Sequence, residues 1–181
     1  PQMFFTINAV DNSMRAGISN GTEWQNANIG NRSFASGEDN LASGVRSMLM
    51  GGKLNTASPN ASNVIYGGQN ITFSAGDCSA IGGGGPVVGT DANRSTGNYN
   101  LLAGGKNNSI TTGGASVIVG GQDNSSTESR IAICGGIGNT NNSRYAITAG
   151  GTSNTNSGAG FCVAGGGTSN KNKNNYSNTL G

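Results

Sequence analysis

The 181-residue chain has no histidine, one tryptophan and three cysteines, and only 10% of its residues are charged. Each shortage removes a class of chemistry. Without histidine there is no Ser-His-Asp triad, no Cys-His dyad and no histidine zinc site. Cys78, Cys134 and Cys162 are too scattered in the sequence to make a zinc site of their own. The net charge is +2, from 10 basic and 8 acidic residues, and no lysine or arginine cluster offers a nucleic-acid footprint. No apolar run approaches the roughly 18 residues of a membrane span, and no signal peptide opens the chain. Glycoside hydrolysis needs two carboxylates within about 10 Å. The eight acids do not converge, and Glu38 and Asp39, as strand neighbours, would point apart. The reading is therefore of a protein that is not an enzyme, with no catalytic residue, cofactor or metal.

What the chain does have is glycine, 33 residues of it, without the strict triplet period of collagen. One phrase recurs, best seen in Ser116-Val117-Ile118-Val119-Gly120-Gly121-Gln122-Asp123-Asn124. Its first glycine returns at Gly51, Gly67, Gly82, Gly104, Gly120, Gly135, Gly150 and Gly166, in steps of 16, 15, 22, 16, 15, 15 and 16 residues. A weaker copy precedes it at Gly37. An asparagine follows most of these glycines: Asn40, Asn55, Asn70, Asn108, Asn124, Asn139, Asn154 and Asn170. The turn after Gly82 alone breaks the pattern, and its extra length reads as an inserted loop over 86–99.

A period this short cannot hold a helical pair, which needs about 33 residues or more, but it suits one coil of a β-solenoid. Each coil would carry two short strands, one before the glycines and one after the asparagine, with glycine and asparagine taking the positive φ of the corners. The predicted fold is thus all-β: a parallel solenoid of about nine coils.

The three residues ahead of each double glycine are apolar in most copies, with no polar alternation. Successive strand residues face opposite ways, so both faces of this strand should be covered. One face would fill the inside of the coil and another copy of the chain would cover the other, so the stripe through Leu49, Ile65, Leu102, Ile118 and Ile133 reads as a core or trimer-interface stripe. Cys134 and Cys162, two coils apart, lie about 10 Å from each other, beyond disulfide reach. They read as small buried hydrophobes rather than a bridge.

The Ser-apolar-x-apolar-Gly pattern, with Asn40-Leu41-Ala42-Ser43-Gly44, resembles the head repeat of trimeric autotransporter adhesins, repeats that also occur in bacteriophage fibres and tail spikes. The resemblance covers roughly residues 31–181. It implies a left-handed parallel β-roll and a homotrimer. The doubled glycine, and the lack of a neck or coiled-coil stalk, turn the expectation toward a phage or virus fibre segment on the virion surface. A bacterial adhesin head at the cell surface is the alternative, and a polysaccharide depolymerase a more distant one.

Residues 1–30 lack the repeat and hold Trp24, so they read as a cap or a junction to a preceding fibre segment. Both ends look like cuts in a longer protein. The expected partners are sister chains and a host glycan or protein receptor, with no nucleic acid and no membrane insertion. Loops on rigid scaffolds carry specificity, so Thr90, Asp91, Asn93, Arg94 and Tyr99 are the expected ligand contacts. An ice-binding face is weighed against by second strands that mix Thr, Ser, Asn and Phe.

Overall fold

The computed structural model describes residues 2–58, 62–85 and 92–181. The chain forms a parallel β-solenoid of about ten turns. A 12-stranded sheet and a 9-stranded sheet run along it, and the chain alternates between them from coil to coil. Strands stacked in register place each residue over its own equivalent one coil away. Leu101-Leu102, for example, pairs with Ala80-Ile81 on one side and Val117-Ile118 on the other. A third line of pairing consists of single bridges, such as Lys106, Gln122, Ile137 and Thr152 in succession.

The two strands of a coil need only two paired residues each because the turns between them are also bonded coil to coil. In one coil Val117 N donates to Ile131 O at 2.8 Å, Gln122 N to Gly136 O at 2.9 Å, and Ser125 N to Asn139 O at 2.8 Å. Nearly the whole backbone is thereby satisfied by its neighbours.

The interior is filled from both sheets. Leu49, Ile65, Leu102, Ile118 and Ile133 are fully buried, which makes theirs the core stripe, and meet Phe73 and Ile110 from the opposite sheet. Full burial of each such side chain contributes roughly 1.5–3 kcal/mol.

The corner after the glycines is held by an asparagine ladder. Asn124 N donates to Asn108 Oδ1 at 3.0 Å, and Asn139 N to Asn124 Oδ1 at 3.0 Å. Each amide then donates to a glycine carbonyl of its own coil and to one of the next, as Asn124 does to Gly120 O and Gly136 O, both at 3.0 Å. The second glycine is obligatory: Gly121 has φ +88°, and a Cβ there would run into the carbonyl oxygen of Gly136. The first glycine, Gly120, has open space around it.

Three details differ from the sequence reading. Asn70 is not in the ladder; it takes the left-handed corner position at φ 55°, and Ile71 fills the buried site. The residue ahead of each ladder asparagine, not the asparagine, carries the positive φ, as at Asp39, Asn107 and Asp123. Cys162 is buried but Cys134 is exposed in the single chain, because it lies one residue past the inward-facing Ile133. All three cysteines are unpaired.

The stretch 1–30 divides in two. β1 (Gln2–Asn8) pairs antiparallel with β2 (Ser13–Ser19) at the end of the larger sheet. β2 is itself a rung, parallel to β3 (Phe34–Glu38), with Met14 opposite Phe34 and Arg15 opposite Ala35. Arg15 therefore enters the interior column and is buried. Its guanidinium donates to Met14 O, Ser33 O, Ser33 Oγ and Ala42 O, with no carboxylate in reach. Desolvation lowers its pKa to about 10. Trp24 donates Nε1 to Asn40 O at 3.2 Å, against the first asparagine of the ladder.

Candidate functional site

Two outward faces and one corner carry the chemistry. The first face belongs to the larger sheet. The residues flanking each inward side chain point out, and both columns are mainly apolar, with Ser36, Gly82 and Gly165 as breaks in the second. One runs through Met14, Phe34, Met48, Val64, Ala80, Leu101, Val117, Ala132, Ile147 and Val163, in register. The other includes Met50, Tyr66, Ala103, Val119 and Cys134. Met50, Tyr66 and Val119 are each half or more exposed in the single chain. β1 extends the face with Phe5 and Ile7, opposite Ala16 and Met14. Here it opens into a hollow of about 770 Å³ lined by Met3, Phe5, Ala16, Ile18 and Glu38. No charged side chain stands in either column from Met14 to Val163.

The second face, on the smaller sheet, is polar. Its inward residues include Phe73, Ile110, Asn141 and Asn156, all buried. With these turned in, the outward column reads Thr56, Thr72, Arg94, Ser109, Ser125, Thr140 and Thr155, in register. The mixture of Thr, Ser, Asn and Phe along the second strands is thus sorted in part by side: the threonines stand outside, Phe73 and the asparagines inside, and serine on both, with Ser95 and Ser126 buried.

Of the expected loop contacts, the three that are described, Asn93, Arg94 and Tyr99, stand in different places. Thr90 and Asp91 lie outside the described residues. Asn93 is fully buried in the ladder and spends its amide on Gly83 O at 2.7 Å and Gly105 O at 2.9 Å. Arg94 opens a strand, Arg94–Ser95, and stands on the hydroxyl face. Tyr99 is exposed at a left-handed corner, φ 56°. The insertion is short: fourteen residues separate Ala80 from Arg94, against eight from Val117 to Ser125.

The corner that holds Tyr99 continues to the far end as Arg130, Tyr145, Phe161 and Tyr176. Tyr145 and Phe161 stack at 4.8 Å between centroids, and Phe161 and Tyr176 at 5.6 Å. The Arg130 guanidinium lies 5.1 Å above the Tyr145 ring and donates Nη1 to its hydroxyl at 2.9 Å. Beside this corner is a groove of about 370 Å³ lined by Glu128, Asn142, Arg144, Ser157, Gly158 and Ala159. Sequence reasoning missed it, because its members come from three coils.

The surface ionisable groups serve the coil. Backbone and side-chain donors of Asn20 hold the Asp39 carboxyl below its usual range, and Asn107 with Gln122 does the same for Asp123. Lys53 bonds Glu38 at 2.7 Å, which raises the lysine pKa. Among the described residues no cluster of three metal-ligating side chains occurs. No protein family, curated protein or solved structure matches the chain.

Proposed function

We propose that this chain is a segment of a homotrimeric attachment fibre of a phage or virus particle, winding as a left-handed roll and holding or forming a receptor-binding surface. It turns over no substrate. The observation that carries the proposal is the uncovered apolar face of the larger sheet. Twelve strands at about 4.8 Å make it roughly 50 Å long, and two outward columns make it about 10 Å wide. That is on the order of 500 Å² per chain, toward the upper end of the roughly 300–600 Å² of a typical monomer's largest apolar patch and a good part of the ~800 Å² each partner gives to a stable interface. A face that repeats rung by rung, without charge, is best matched by another copy of itself in the same register. Three copies close around an axis and leave the polar faces and corners outward.

The test is mass in solution. The expected species is three times the 18.0 kDa chain. A monodisperse monomer would remove the basis of the proposal. A bacterial adhesin head would use the same face, and the remainder of the gene separates the two.

One observation favours a second reading. The outward column from Ser109 to Thr155, in register and hydroxyl-bearing at every rung, with Thr56 and Thr72 beyond Arg94, presents a short array of donors and acceptors of the kind that orders water against ice. Inhibition of ice recrystallisation by the purified chain would support it, and growth equal to buffer would end it.

A further inference from the structure

The groove beside the aromatic corner has features that the rest of the solenoid surface lacks. The turn that lines it is one residue longer than those of the two flanking coils, a length it shares with the turns from Thr72 to Ala80 and from Ser109 to Val117. Seven residues separate Thr140 from Ile147, and eight separate Thr155 from Val163. The added residue falls in Ser157-Gly158-Ala159-Gly160, where small side chains leave the space unfilled. Phe161, just beyond, is the only member of the Arg130–Tyr176 corner outside the left-handed region.

The groove walls carry four kinds of polar group: the Glu128 carboxylate, the Asn142 amide, the Arg144 guanidinium and the Ser157 hydroxyl. Arg144 approaches Glu128 only to 3.9 Å, and both side chains are about half exposed. No hydrogen bond to another described residue engages the Arg144 fork. The neighbouring arginine is already committed to Tyr145. Arg144 is thus a cation held at a groove with its donors available, on a rigid frame.

The surrounding charge favours an anion. Residues 124–181 hold four basic residues (Arg130, Arg144, Lys171 and Lys173) and one acid, Glu128, a net of +3. Residues 1–123 hold six basic and seven acidic residues, a net of −1. Tyr145 and Phe161 are each stacked on both sides, between Arg130, one another and Tyr176, so the two rings of the groove's own coils are not open to a base or a sugar ring. Recognition here must use hydrogen bonds and the ion pair. Carboxylate, amide and hydroxyl groups together bond the hydroxyls of a pyranose, and a guanidinium fork pairs with a carboxylate.

From this we infer that the Glu128–Arg144 groove binds an acidic saccharide, a pyranose bearing a carboxylate. Arg144 takes the carboxylate, and Glu128, Asn142 and Ser157 take ring hydroxyls. The inference rests on the attachment reading and names the chemistry of its receptor. A uronate polymer and a sialylated chain share this chemistry.

Titration calorimetry of the purified chain with trigalacturonate, with sialyllactose and with neutral galactotriose tests it. At least one acidic probe should bind, about tenfold or more tighter than the neutral one. Arg144→Gln should weaken that binding at least ~10-fold and Asn142→Ala several-fold. Arg46→Gln, at the same corner many coils away, should leave it unchanged. Both substituted groove side chains are exposed, and circular dichroism checks that each variant keeps its fold. The inference is overturned if neither acidic probe binds, if the neutral probe binds equally, or if Arg144→Gln binds as the parent does. Mass in solution, measured on the same samples, reports the trimer separately. A trimer that ignores all three probes sinks the groove alone; a monomer that binds through Arg144 sinks the fibre alone.

Discussion

The interior of this solenoid changes character along its length. From Leu49 to Ile133 the columns are filled mainly by leucine, isoleucine and phenylalanine, with Ala57, Ser95 and Ser126 among them on the smaller sheet. Beyond, they are filled by Asn141, Thr148, Asn156 and Asn172, all buried. These form a second ladder: Asn156 donates to Asn141 Oδ1, and Asn172 to Asn156 Oδ1, each at 2.8 Å, while Thr148 donates to Asn141 Oδ1 at 2.8 Å. The coil is the same in both stretches, with the same corners and backbone pairing. The shape is therefore set by the corners, and the filling has only to fit and to leave no polar group unpaired. An apolar column and a fully bonded amide column both meet that condition.

The largest way to break the comparison is to mix the two fillings. Ile118→Asn places an amide between Leu102 and Ile133, where neither neighbour accepts or donates. It should cost about 4 kcal/mol, the lost apolar burial plus an unpaired amide. Chemical denaturation measures it, and a loss under about 1 kcal/mol would mean the apolar stretch tolerates polar filling. If the corners set the shape, Gly121→Ala should cost about 3 kcal/mol, whereas Gly120→Ala should be near neutral in a single chain. A trimer weakened by Gly120→Ala would place that glycine against a neighbour. The reverse exchange, Asn156→Leu, strands the partners of its amide and should cost about 2 kcal/mol.

Arg15 gives a pH handle on a third kind of filling, a cation bonded to carbonyls. Its folded pKa of about 10 lies well below that of a free guanidinium, so between the two the unfolded chain binds more protons. Its penalty is full below pH 10, and stability from this residue rises with pH through that window. Lys53, raised by Glu38, acts in the opposite sense. The difference in denaturation midpoint between the parent and Arg15→Met should therefore move in favour of the parent as pH rises from 9.5 to 11.5, and a constant difference would count against a buried cation. The smallest effect concerns Ser126, at the boundary of the two fillings, whose buried hydroxyl has no partner. Ser126→Ala should be neutral or stabilising by up to about 1 kcal/mol.

Much of this was legible in the residues. The double glycines marked the corner, and Ile65, Leu102 and Ile118 marked a covered apolar stripe. The reading missed where one residue type stands in for another. Ile71 replaces a ladder asparagine beside Asn70, and only the coil's geometry shows which of the two is inside. Asn93 looked like loop but fills the next ladder site, because the inserted residues end before it. Arg15 lies in a stretch that lacks the repeat and read as a cap, yet β2 pairs in register with β3. For the outer surface, composition misled: Phe73 and Ile110 suggested a mixed second strand until they were seen to turn in.

The sequence by itself determined that the chain coils, with what period, and which stripes are apolar; burial in the structure shows which of them lies within. In a parallel in-register stack each residue meets its own equivalent one period away, so a one-dimensional repeat already contains those contacts. Only the tertiary structure decided which groups converge at the Glu128–Arg144 groove and which face is left bare. A one-residue change in a turn shifts every cross-coil neighbour beyond it, and no period records which side chains then meet.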